Sequence, residues 1–192
     1  MTKLLRTILF FFAFASCLQA QTSNPLWLRV QMGYAVNGNG DRSGLVSQIS
    51  GGYYFSPRFK AGLGVLGSSF DNGVYLPADE NKASVFGLEV NGYFNIVHTK
   101  LLKLEIGAGP HVQFWNWNYR AQSGVTIVLG NDILILPDQK VSFDETQLGF
   151  NASLGLILTP FKHVGFGLWA VHQSGLLSYN ISSVRAGFEF RF

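Results

Sequence analysis

His172 and Ser174, separated by one residue, have the types and spacing of a hydrolytic pair. A histidine within hydrogen-bond reach of a serine can take its hydroxyl proton and leave an oxygen able to attack an ester carbonyl. On an extended strand, residues two apart point the same way. His172 and Ser174 would therefore share the face that carries Phe166, Leu168 and Ala170. No acid follows on that face to orient the imidazole, since Glu189 has the opposite parity. The same two residues would also serve as a plain polar cap where an apolar strand leaves hydrocarbon.

A second set is ionic. Arg29, Lys60, Glu89, Lys103, Glu105, Arg185, Glu189 and Arg191 recur on the less apolar parity of their segments, among many glycines. They are either a pore lining or a mutually paired plug. Eight strands enclose an interior just wide enough for side chains, so a plug is expected and a large conductance is not. The remaining candidates carry less. Asp71, Asp79, Glu80, Asp138, Asp144 and Glu145 fall in or beside loops and match no calcium-loop spacing. His98, His111 and His163 are scattered, so no metal site and no cofactor is expected. No basic run or aromatic-basic interleaving points to nucleic acid.

The elements that would position these residues are strands. Ser178 to Phe192 sets Val184, Ala186, Phe188, Phe190 and Phe192 against Arg185, Gly187, Glu189 and Arg191, a period of two with one continuous apolar face. Seven earlier segments alternate likewise: about 26–34, 43–55, 59–70, 83–96, 101–117, 143–158 and 163–173. Ser56-Pro57-Arg58 and Thr159-Pro160 mark tight turns, while residues 71–82 and 118–142 read as long loops. Within the latter, Thr126–Leu129 and Ile133–Leu136 flank Gly130-Asn131-Asp132 as a hairpin. That hairpin could be a docking protrusion, a lid, or two further spanning strands that would make ten.

Ahead of the strands, Lys3 and Arg6 precede a short apolar run, and Leu18-Gln19-Ala20 has the form of a cleavage site. Residues 1–20 are expected to be a secretory signal, leaving 21–192 as one domain. Cleavage there would remove Cys17, the sole cysteine; the rival reading makes Cys17 an acylated lipoprotein residue. Lys3 and Arg6 account for two of the three net positive charges, so charge says little about partners.

The direction of the apolar face decides the solvent. A soluble barrel would need a polar coat, yet the polar parity is sparse, with 22 glycines in the chain and only 13% charged residues. The apolar parity is long-chained and aromatic, which suits lipid contact. Two aromatic girdles are expected: Tyr53, Phe55, Phe59, Phe94, Phe161 and Phe192 near the short turns, and Tyr34, Phe70, Phe114, Trp117, Tyr119 and Tyr179 near the long loops. The fold class is therefore all-β, an eight-stranded antiparallel up-and-down transmembrane β-barrel.

The tight turn in GYYFSPRFKAGLGV, the strand VFGLEVNGYFNI and the terminal SVRAGFEFRF resemble the small outer-membrane β-barrels of the OmpA/OmpX type. The resemblance implies a porin-like barrel in a Gram-negative outer membrane. It makes Phe188, Phe190 and Phe192 the signal read by the barrel-assembly machinery, with membrane lipid and lipopolysaccharide as surroundings. The His172-Gln173-Ser174 run further resembles the His-x-Ser of the lipid A 3-O-deacylase barrels, although Gly175 stands where that family continues with Asn. That likeness implies His172 as base and Ser174 as nucleophile. The expectation is a monomeric, non-enzymatic barrel with a structural or surface-interaction role and a surface partner at loop 118–142. A lipid A acyl-ester hydrolase is the alternative and a small-solute channel the second one.

Overall fold

The computed structural model describes residues 25–38, 42–71, 82–121, 126–129, 132–135, 139–176 and 180–192. The expected signal segment 1–20 with Cys17, the loop acids Asp79, Glu80 and Asp138, and Tyr179 lie outside the described residues.

The described residues form ten strands: β1 (Leu26–Asn37), β2 (Ser43–Tyr54), β3 (Phe59–Asp71), β4 (Lys82–His98), β5 (Leu102–Ala121), β6 (Thr126–Leu129), β7 (Asp132–Ile135), β8 (Gln139–Leu158), β9 (Val164–Gly175) and β10 (Asn180–Arg191). Eight of them close into one antiparallel barrel in the order β1-β2-β3-β4-β5-β8-β9-β10, with β10 returning to β1. β6 and β7 pair only with each other, as a separate two-stranded sheet. The hairpin read from Thr126 onward is thus real, and it adds no staves: the barrel has eight, not ten. Closure leaves no free margin on the ring, the condition for crossing hydrocarbon with every backbone group paired.

Alternation sets the two faces. Along β4, Phe86, Leu88, Val90, Phe94 and Ile96 are exposed while Glu89, Asn91, Tyr93 and Asn95 are buried. The same inversion runs round the ring, through Met32, Leu63, Leu154, Leu168 and Val184. A water-soluble monomer rarely exposes an apolar patch above a few hundred Å², and burying one such side chain is worth about 1.5–3 kcal/mol. An apolar belt this complete needs an apolar solvent.

At one end the turns are short. Phe55 N–H and Ser56 N–H both donate to Phe59 O, and Ser56 Oγ accepts from Phe59 N–H at 3.0 Å, closing the turn at Pro57. Thr99 Oγ1 and the Leu102 backbone bond reciprocally at 2.9 Å to close the next. At the other end the β3–β4 and β5–β8 links are long and the β1–β2 and β9–β10 links short, and β5 and β8 run beside each other without interruption to Ala121 and Gln139. The sequence pattern placed those two strands at 101–117 and 143–158; pairing extends both outward past the last clear alternation.

Glycine makes room in the lumen where rings lie flat on the wall. A Cβ at Gly167 would stand 2.7 Å from Trp169 Cζ2, and one at Gly107 would stand 2.7 Å from Tyr93 Cε1. Two girdle assignments are corrected. Phe70 and Trp117 face the lumen, Phe70 with no exposure at all. Both sit on the inward parity of their strands, and here parity outweighs the interfacial preference of the residue type. Tyr34, Phe114, Phe59, Phe94, Phe161 and Phe192 are exposed on the outer wall, and Tyr53 and Phe55 are half-buried there.

Candidate functional site

The lumen is filled in three layers. Nearest the short turns, Arg29 on β1, Lys60 on β3, Glu105 on β5 and Glu189 on β10 form a crossed ring of charges. Arg29 Nη2 donates to Glu105 Oε1 at 2.7 Å and to Glu189 Oε2 at 2.6 Å. Lys60 Nζ lies 2.7 Å from Glu105 Oε2 and donates to Glu189 Oε2. Tyr54 O–H adds a bond to Glu189 Oε1 at 2.8 Å, and Arg191 Nε stands 3.4 Å from the same oxygen. Aromatic walls complete the cage: the Arg29 guanidinium lies 4.5 Å from the Trp169 ring, and Lys60 Nζ 4.6 Å from the Trp27 ring. Lys103 sits beside this ring, over Tyr54 at 5.2 Å.

A middle layer is mostly amide. Glu89 accepts from Gln48 Nε2 at 2.7 Å, from Asn91 Nδ2 at 2.9 Å and from Gln173 Nε2. Gln48 Oε1 in turn accepts from Arg185 Nη1, whose Nε donates to Ser183 Oγ at 2.9 Å. Glu89 and Arg185 are therefore linked through Gln48. His111, Gln113, Gln147 and Asn151 bury polar atoms here that have no protein partner. Buried groups of that kind are ordinarily met by ordered water.

Towards the long connections the filling turns apolar. Phe70, Trp115, Trp117, Val46, Leu66, Val85, Ile181, Ala35 and Ala83 form one buried cluster. Phe70 stacks on Trp115 at 5.9 Å, and Trp115 on Trp117 at 5.0 Å. Aromatic lid, amide layer and ionic ring together occupy the bore along its length.

The lumen brings the eight charged positions into two groups: Arg29, Lys60, Glu105, Glu189 and Arg191 with Lys103 beside them, and Glu89 with Arg185. Sequence reading missed Tyr54, Gln48, Asn91 and Gln173 as members, and missed the aromatic lid. The signal for all of them was inward parity, which was given weight only for charged residues and glycine.

His172 and Ser174 are both exposed on the outer wall. The histidine's bond goes elsewhere. Its Nδ1 lies 2.9 Å from Ser182 Oγ, the directly opposite residue on β10. Ser174 stands opposite Asn180 instead. The pair His172–Ser182 borders a shallow groove lined by Tyr34, Val36, Leu154, Ala170 and Val184, with no carboxylate among its walls. Among the described residues no cluster of His, Cys, Asp and Glu is placed to hold a metal ion. Of the terminal phenylalanines, Phe188 packs edge-on to Phe166 at 4.9 Å and lies over Phe190 at 6.4 Å, while Phe192 is exposed.

No protein-family model matches the chain, and no curated protein matches it. Solved structures do. Neisserial surface protein A superposes with a TM-score of 0.61 at 13% identity, over 87% of this chain and 97% of that one. The outer membrane protein OprG from Pseudomonas aeruginosa gives 0.56 at 10% identity, over 91% and 98%. The N-terminal β-barrel domain of Pseudomonas aeruginosa OprF gives 0.55 at 12%, over 90% and 100%. At these identities the likeness is one of fold: the chain has the architecture of small eight-stranded outer-membrane barrels, of the OmpA/OmpX kind.

Proposed function

We propose that this chain is a monomeric outer-membrane barrel of a Gram-negative cell. In this reading it is exported by a cleaved signal at residues 1–20 and assembled through Phe188, Phe190 and Phe192. Its short turns face the periplasm and its long connections face outward. Its role is structural or surface-interacting, carried by the long-connection end and above all by the 118–142 region, with lipopolysaccharide around the wall. The observation that supports this most is the filled bore: apolar side chains outside, and inside an ionic ring, an amide layer and a stacked Trp115–Trp117 lid. A bore closed by protein atoms leaves the surface as the working part. Planar-bilayer recording of the purified barrel tests it; the expected record is silent, and steady ion conductance would replace this reading with the channel.

One observation favours a second reading, ester hydrolysis on lipid A. His172 is hydrogen-bonded to a serine hydroxyl in a groove whose walls are apolar. The serine so placed is Ser182, not Ser174. Lipid A mass spectra of cells making the wild type, His172→Ala, Ser174→Ala or Ser182→Ala separate the two readings. An identical acyl pattern in all four is expected of the scaffold; an acyl chain lost with the wild type and Ser174→Ala but kept with His172→Ala and Ser182→Ala would establish the hydrolase.

A further inference from the structure

Charge is distributed unevenly along the barrel axis. Towards the long connections both signs occur, Asp71, Asp144 and Glu145 with Arg42 and Lys82. Among the described residues around the short turns, every charged side chain that reaches solvent is basic. Arg58 stands between β2 and β3, Lys100 between β4 and β5, and Lys162 between β8 and β9, all exposed. Arg191 ends β10. Arg58, Lys100 and Lys162 are in no ion pair among the described residues.

Each of these cations is adjacent in sequence to an exposed apolar side chain. Arg58 is followed by Phe59 at 40% exposure, Lys100 by Leu101 at 65% and Arg191 by Phe192 at 61%, and Lys162 is preceded by Phe161 at 62%. An apolar anchor beside a long basic stem is the arrangement that sits at a membrane boundary: the ring or leucine enters the acyl edge and the charge lifts to headgroup height. A soluble acidic partner would need the cations but not an apolar neighbour at all four places.

We infer that the short turns form a basic collar that binds the phosphate headgroups of anionic phospholipid in the leaflet they border. The inference rests on the membrane-spanning reading above and goes beyond it by naming the lipid class and the residues. The three exposed cations outside any ion pair, Arg58, Lys100 and Lys162, give the barrel a preference for phosphatidylglycerol over phosphatidylcholine, because each basic residue near an anionic surface shifts partition about fivefold. Salt weakens such contacts as the screening length falls.

The full chain, folded into phosphatidylcholine vesicles carrying a trace of spin-labelled phosphatidylglycerol or spin-labelled phosphatidylcholine, provides the measurement. Wild type should hold the labelled phosphatidylglycerol at least about fivefold more than the neutral label at low salt, and lose most of that preference near 1 M salt. The Arg58→Gln/Lys100→Gln/Lys162→Gln variant should show a ratio close to one. Equal binding of the two labels by folded wild type, or an undiminished preference in the triple variant, overturns the collar. So does sedimentation with cell-wall sacculi in the absence of any lipid preference, which would make the collar a wall-binding surface. Heat-modifiable gel mobility reports folding in the same samples. A chain that stays folded and dissolved without lipid or detergent would instead remove the membrane reading itself.

Discussion

Glu189 holds more of the lumen together than any other side chain described. Arg29, Lys60, Tyr54 and Arg191 all reach it, from four other positions on β1, β3, β2 and β10 itself. Removing one partner of a buried ion network strands the rest in a medium where an unpaired charge is costly. Glu189→Ala should therefore cost about 3–5 kcal/mol, read as a lowered urea midpoint for unfolding from detergent or vesicles. The apolar double replacement Lys60→Met/Glu189→Leu should recover much of that loss, because a well-packed isostere removes the desolvation term along with the attraction. Steric economy matters at the same scale. Gly167→Val would press a branched side chain onto Trp169, which itself carries the Arg29 cation, so the variant should lose heat-modifiable mobility or unfold at a lower midpoint.

At the scale of strands, the phase of each stave was legible from alternation alone. The segments read at 43–55, 59–70 and 83–96 match β2, β3 and β4 to within a residue or two at each end. What alternation does not carry is how far two strands stay paired once the lipid-facing requirement ends. β5 and β8 continue to Ala121 and Gln139 because each supplies the other with hydrogen bonds, a mutual term absent from either segment alone. Register is hidden for the same reason. His172 and Ser182 are ten residues apart in sequence and become neighbours only when β9 and β10 align, so a local reading paired His172 with Ser174. Phe70 and Trp117 were misplaced where residue type was weighted above parity. The detached β6–β7 sheet yields a prediction here: replacing residues 122–138 by a two-residue Asn-Gly turn should leave barrel folding intact by gel mobility, since no barrel strand draws hydrogen bonds from that sheet.

For the molecule as a whole, the fold follows from one choice of which side of each strand faces outward. Apolar residues outside and paired polar residues inside make the membrane the solvent, and the neighbours found among solved structures share that architecture. Ring closure can be tested directly. Met32 on β1 and Ala186 on β10 are register partners, with Met32 on the outer wall. Directly paired residues have Cα atoms about 4.5–5.5 Å apart, within disulfide reach. Met32→Cys combined with Ala186→Cys should cross-link in the folded protein, whereas Met32→Cys with Gly187→Cys, one residue out of register, should not.

The seam between β1 and β10 joins the earliest and latest staves of the ring, Trp27 meeting Arg191 across most of the chain. Such a junction cannot form piecemeal during synthesis, and the waiting time is set by contacts of very large sequence separation. A polypeptide interrupted before Asn180 would be left as an open sheet with two raw margins, each ready to capture a strand from another chain. Until its final stave arrives, the cylinder is a template for strands of other chains as much as for its own.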